Sequence, residues 1–163
     1  MEIHDEPEAR YLAMAISGVT MARWGEVNVL IGELGGRLGG AGLAPFGPPF
    51  YRYRVIGGRE GPWEVEVCFS VEGEPPEPDG AIAATFEAGR YAKWLHHGHP
   101  DQLEAVQEAF AARLAEVDLE PDNTHEGGTE RWRGWFEAFM TDPTVEPDPE
   151  NWDTLIACRV RPR

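Results

Sequence analysis

The chain has 163 residues, of which 29 are acidic and 14 basic, and its net charge is −15. This length predicts one domain, which we take as residues 1–163, with enough apolar side chains to form a core. The charge argues against binding to nucleic acid or to anionic membrane surfaces, because proteins bind both through Lys and Arg side chains. No apolar signal segment or run of ~20 apolar residues is present. We therefore expect a cytoplasmic protein; the sequence identifies no protein partner.

The first half of the chain has the element order strand, helix, strand, strand. Tyr11–Val19 predicts a strand, and apolar residues at helical spacing predict a helix over about Trp24–Leu38. Two more strands follow, Phe50–Ile56 and Trp63–Val71. The second of them alternates strictly, so we expect one core face and one largely solvated face.

A Pro-rich acidic segment, Glu74–Gly80, separates this half from a second half with the same element order. The predicted elements are strands at Ala81–Phe86 and Arg90–His97, a helix at Asp101–Val117, a polar loop at Pro121–Gly128, and strands at Arg131–Met140 and Trp152–Val160.

The repeated order predicts an α+β fold. It would consist of two fused strand-helix-strand-strand modules, about residues 10–73 and about 80–161, related by a pseudo-twofold axis. We expect a mostly antiparallel sheet with both helices packed on one side. A cleft between the halves is a usual place for a ligand.

The residue types that bind metals or form disulfides are sparse. Cys68 and Cys158 lie in predicted strands, so we expect free, buried thiols. The histidine cluster at His96–His99 lacks the cysteine or helical carboxylate that would complete a tetrahedral site. We therefore predict no metal and no cofactor.

Glu137 is the most informative residue. It lies in the apolar run Trp135–Met140, on the same strand face as Trp135 and Phe139. A carboxylate among aromatic rings is costly unless a cation pairs with it. Either a nearby arginine, Arg131 or Arg133, or a cationic ligand could supply that charge.

Three segments resemble the GyrI-like family. They are Phe86–Ala92 with the following His97-Gly98, Phe136–Pro143 with its glutamate and Asp-Pro, and Trp152–Val160. The resemblance extends from about Tyr11 to Val160. This family includes effector-binding domains of AraC-type and MerR-type regulators, and the multidrug-sensing BmrR is similar.

The resemblance implies a domain that binds bulky, lipophilic, often cationic compounds in an aromatic cleft with a glutamate at its base. Glu137 matches that glutamate, and Trp135 and Phe139 share its face. Tyr53 and Trp94, which lie mid-strand in opposite halves, are predicted walls, and Trp24 is predicted to close the mouth.

Only about ten residues precede the first predicted strand, so we expect a stand-alone member without a DNA-binding domain. An alternative function is hydrolysis of strained, cyclopropane-bearing toxins, with Glu137 as general base. A third is a ligand-free protein-protein regulator such as a gyrase modulator. Turnover of a cyclopropanoid substrate would separate the first two functions.

Overall fold

The computed structural model describes all 163 residues as ten strands, two α-helices and three short 3₁₀ helices. The α-helices are α1 (Gly25–Gly40) and α2 (Leu103–Glu116). The strands are β1 (Glu2–Glu6), β2 (Ala9–Val19), β3 (Phe46–Ile56), β4 (Trp63–Ser70), β5 (Ile82–Phe86), β6 (Gly89–His97), β7 (Leu119–Pro121), β8 (Asn123–Glu126), β9 (Thr129–Phe139) and β10 (Asp153–Pro162). The 3₁₀ helices are Met21–Arg23, Pro100–Gln102 and Pro149–Asn151.

All strands belong to one curled antiparallel sheet. Its order is β1-β6-β10-β9-β3-β4-β2-β5, with β7 added to β10 and β8 added to β9. Both helices pack on the same face: α1 covers β2 and β4 through Val27, Leu34 and Leu38, and α2 covers β9 and β10 through Phe110 and Leu114. The predicted α+β class, with helices on one side of the sheet, is confirmed. Neither helix combines the length and apolar character needed to cross a bilayer.

The two halves meet at the centre of the sheet, where β3 pairs with β9. Outward from this pair the order is β3-β4-β2 on one side and β9-β10-β6 on the other, so each half runs second, third, first strand. The outermost strands exchange sides: β1 pairs with β6 of the second half, and β5 pairs with β2 of the first. Superposition of the two halves stays a prediction, although this strand order is compatible with it.

Three strands, β1, β7 and β8, were not expected from the sequence. β1 has only one apolar residue, Ile3, and it forms because β6 offers an open edge at Ala92. β8 lies inside the segment predicted to be a polar loop, and that prediction is wrong. Gly127 and Gly128 have φ of +58° and +82°, which allows the two-residue turn that folds β8 onto β9.

The second face of β4 is also different from the prediction. Glu66 was expected on a largely solvated face, but it is buried, as is Cys68 on the same face. The curl of the sheet brings Phe86, Phe50 and Phe136 together on that side, and their rings cover it. The alternation in sequence was therefore detected correctly, while the solvation of the polar face was not. Both cysteines are free and buried, as predicted.

Candidate functional site

The site is built on the central strand pair. In the β3–β9 register, Tyr51 lies opposite Glu137 and Tyr53 lies opposite Trp135. Alternate residues of a strand share a face, so these four side chains all point to the face that carries the helices. The site therefore lies where the two halves of the chain meet, between the sheet and the helices.

The Glu137 carboxylate is 4% exposed and accepts two hydrogen bonds from side chains. The Tyr53 hydroxyl donates to Oε2 at 2.8 Å, and the Gln107 amide donates to Oε1 at 2.7 Å. Both donors are neutral. Their bonds satisfy the oxygens but do not balance the charge.

No arginine, lysine or histidine lies within ion-pair distance of Glu137. Of the two arginines suggested by the sequence, Arg131 is exposed, and its register partner on β3 is Val55. Arg133 instead contacts Glu87 at 2.5 Å and Asp122 at 3.7 Å. The arginine alternative is therefore wrong.

Burial dominates the electrostatics of this cluster. Desolvation raises the pKa of Glu137 above its ordinary value, against the hydrogen bonds from Tyr53 and Gln107 and the nearby Trp135 side chain, which act to lower it. Burial, together with the Glu137 charge, also raises the pKa of Tyr51 and of Tyr53. Both tyrosines therefore remain protonated donors at neutral pH.

Aromatic rings surround the carboxylate. Trp24, at the start of α1, stacks on Tyr53 with ring centroids 6.1 Å apart and planes inclined by 11°. Its ring also meets Tyr51 edge-on at 5.7 Å. Phe139 packs edge-on against Tyr51 at 4.6 Å. The result is a negatively charged group inside an aromatic enclosure.

The predicted site residues fall into two groups. Glu137, Tyr53, Trp24, Trp135 and Phe139 all lie in this cluster, and Trp135 is also a core residue that contacts α2. The sixth, Trp94, is not brought to Glu137. It packs on Phe110, whose ring centroid is 6.0 Å from that of Trp135, and it lines a separate surface hollow of about 370 Å³. The roles of all six predicted residues as ligand contacts stay predictions.

Two polar side chains of this cluster were missed. Gln107 lies on the buried stripe of α2, four residues after Leu103 and three before Phe110. Asn28 accepts a hydrogen bond from the Tyr51 hydroxyl at 2.7 Å and lies one turn after Trp24 in α1. For Gln107, a polar residue inside an apolar helical stripe was a usable signal for a buried hydrogen bond, whereas Asn28 is exposed and gave no such signal.

The histidine cluster has ordinary polar contacts. His97 Nδ1 lies 2.8 Å from Asp153 Oδ1, and His99 Nδ1 accepts from the backbone N–H of Asp101. No group of three or more His, Cys, Asp or Glu side chains lies close enough together to hold a metal ion.

The curled sheet with both helices on one face agrees with the fold that the resemblance to the GyrI-like family implies. No family model matches the chain, and no curated protein matches it in sequence. Solved structures do match. The C-terminal domain of EcmrR is 16% identical with a TM-score of 0.79, and the match covers 99% of this chain and 97% of that domain.

Further matches have the same fold at low identity. The chain spans 57% of the EcmrR chain in a complex with DNA, with a TM-score of 0.80 and 17% identity. SAV2435 bound to tetraphenylphosphonium has a TM-score of 0.62 and 10% identity, over 98% of this chain and 93% of SAV2435. A hydrolase from Listeria innocua has a TM-score of 0.61 and 15% identity, over 98% and 91%. At these identities the likeness establishes the fold alone.

Proposed function

We propose that the protein binds a lipophilic aromatic cation against the β3–β9 pair, with Glu137 supplying the opposite charge. The observation that carries the proposal is a buried carboxylate whose only partners are neutral donors. Such a charge is costly to bury, because hydrogen bonds from Tyr53 and Gln107 replace only part of its hydration. A cation that loses little hydration on entry would offset that cost.

The surrounding rings suit the same class of ligand. The face of an aromatic ring attracts a cation, and flat apolar groups stack on it. Trp24, Tyr51, Tyr53 and Phe139 lie within one contact network beside Glu137. A ligand with delocalised charge and no N–H groups would need only these rings and the carboxylate.

The structural comparison supports this choice of ligand. SAV2435, which has the same fold, is bound to tetraphenylphosphonium, an aromatic cation. We extend that ligand class to this chain as a proposal, which rests on the Glu137 site rather than on the 10% identity.

The test is a fluorescence titration of wild type and Glu137→Gln with tetraphenylphosphonium and with triphenylphosphine oxide, a neutral aromatic analogue. A charge-assisted contact in a dry site is worth roughly 1.5–3 kcal/mol, so the variant should bind the cation about ten- to a hundredfold more weakly. Binding of the neutral compound should change by less than about twofold.

Glu108→Gln is the matched control for net charge, since Glu108 is exposed on α2. It should leave both affinities unchanged. Equal losses of the cation and the neutral analogue in Glu137→Gln would show that the carboxylate is only structural.

Hydrolysis of a strained electrophile is the second candidate. The raised pKa of Glu137 suits a general base that takes a proton from water near neutral pH. The fold is also shared with a hydrolase from Listeria innocua. Ring-opened product formed from a cyclopropanoid substrate by wild type, and not by Glu137→Gln, would establish this activity. Binding without product would leave the first function in place.

A further inference from the structure

The two donors to Glu137 differ in how firmly they are held. Tyr53 belongs to the central strand β3, and its ring stacks against Trp24. Gln107 reaches the carboxylate from α2, and it is half-buried. A glutamine side chain also has more rotatable bonds than a tyrosine. Of the two donors, Gln107 can leave the carboxylate with the smaller rearrangement.

Three neighbours close the directions along the sheet around Glu137. Its neighbours across the sheet are Tyr51 on β3 and Ile156 on β10, and both are buried. Trp135, two residues away on the same face, is 6% exposed. Because Glu137 is only 4% exposed and the Gln107 amide lies 2.7 Å from Oε1, a ligand that reaches Oε1 from the side of α2 takes the position of that amide.

We infer that Gln107 is an internal competitor that an entering ligand displaces from Glu137, and that it sets the affinity of the site. This inference rests on the proposed function. In the empty site, the amide directs the positive end of an N–H bond at Oε1, where the charge of the ligand would lie. Breaking that bond subtracts from the affinity of every ligand that occupies this position, charged or neutral.

The inference separates the roles of two neighbouring residues. Glu137 determines how strongly a cation is preferred over a neutral ligand of similar shape. Gln107 determines how tightly both bind, because both must displace it. Gln107 is thus an affinity-setting residue that acts through Glu137.

The experiment measures the same two ligands against variants of Gln107. Gln107→Met keeps length and flexibility but removes the donor, so tetraphenylphosphonium and triphenylphosphine oxide should both bind about tenfold more tightly. Gln107→Lys places a tethered cation on the carboxylate, so both should bind about tenfold more weakly or not at all. Glu108→Gln, which makes the same charge change on an exposed neighbour, should have no effect.

A double variant makes the test specific to the hydrogen bond. In a Glu137→Gln background the amide donates to a neutral oxygen instead of a charge, so adding Gln107→Met should tighten binding by less than the roughly tenfold expected with Glu137 in place. If Gln107→Lys does not fold, as judged by thermal melting, the Met variants still decide the question.

The two proposals fail in different ways. If wild type shows no Glu137-dependent preference for the cation, the proposed function is wrong and the inference falls with it. If that preference is present but Gln107→Met leaves affinity unchanged or weakens it, Gln107 stays in place on binding. The inference alone is then overturned.

Discussion

Two buried glutamates lie on opposite faces of the sheet, in the strands β4 and β9 that flank β3, and they are balanced in different ways. Glu66, on the face away from the helices, is 7% exposed and accepts a hydrogen bond from the Tyr11 hydroxyl at 2.8 Å. Glu137, on the helix face, is 4% exposed and accepts one from the Tyr53 hydroxyl, also at 2.8 Å. The difference lies in the remaining partners. Arg52 is within 3.9 Å of Glu66, whereas Gln107 is the second partner of Glu137.

The charge-paired side is a closed arrangement. The Arg52 guanidinium is buried next to the rings of Tyr11 and Phe86, 5.5 and 5.6 Å from their centroids. It also donates to the Arg133 carbonyl oxygen at 3.0 Å. Protein groups contact both charges there, and Arg52 Nε is the one buried side-chain polar atom without a hydrogen-bond partner.

Neighbouring residues of β3 face the two glutamates. Arg52 lies between Tyr51 and Tyr53, and alternation sends it to the opposite face. Arg52 therefore lies beside the buried carboxylate of Glu66, whereas Glu137 has no cation beside it. A buried charge without a protein counterion marks a functional site better than burial does by itself.

The largest expected effect comes from removing Arg52, the buried cation beside Glu66. Arg52→Met leaves Glu66 buried without its nearest buried cation, which should lower the free energy of unfolding by about 3–5 kcal/mol. Urea denaturation measures this. Arg54→Met is the matched control, because Arg54 lies at the same 3.9 Å from Glu66 but its side chain is 45% exposed. Its loss should cost less than about 1 kcal/mol, and equal costs for both arginines would remove the distinction.

At Glu137, which has no cationic partner, the substitution Glu137→Gln should instead raise the free energy of unfolding. Burial raises the pKa of Glu137 in the folded protein above its unfolded value. The folded state therefore holds the proton more tightly, and stability falls as pH rises from the unfolded pKa through the folded one. Glutamine removes this loss, so the variant should be more stable at about pH 8, on the order of 1 kcal/mol.

The pH dependence checks the cause of this gain. It should disappear at about pH 3, below the unfolded glutamate pKa of about 4.3, because the wild-type carboxyl is then protonated in both states. Urea denaturation of both proteins at the two pH values is the measurement. A gain that is the same at both would show that packing, rather than charge, is responsible.

The smallest effect is expected at the aromatic wall. Trp24 is half-buried, and removing its ring in Trp24→Ala should weaken tetraphenylphosphonium and triphenylphosphine oxide alike, by about two- to tenfold. Titration of both ligands gives the ratio, which should stay at its wild-type value. A loss confined to the cation would assign Trp24 a role in charge recognition. Trp135→Ala is less suitable, because deleting a buried Trp costs about 3–5 kcal/mol of stability.

The sequence by itself determined the local features of this protein. Helical spacing located α1 and α2, alternation located β4, and an apolar run located β9. The strand period placed Glu137 on one face with Trp135 and Phe139. These features depend on residues only a few positions apart, so a pattern of period 3.6 or 2 reveals them. The polar face of β4 was misjudged, because alternation shows which residues share a face but not what covers it.

Only the tertiary structure decided the partners of Glu137. Tyr53 and Gln107 come from a strand 84 positions and a helix 30 positions away, while the nearby Arg131 and Arg133 do not reach the carboxylate. Sheet order and register set these distances, as they set the exchange of β1 and β5 between halves. Composition and spacing do not encode register between distant strands. The absence of a counterion, on which the proposed function depends, was therefore visible only in the folded protein.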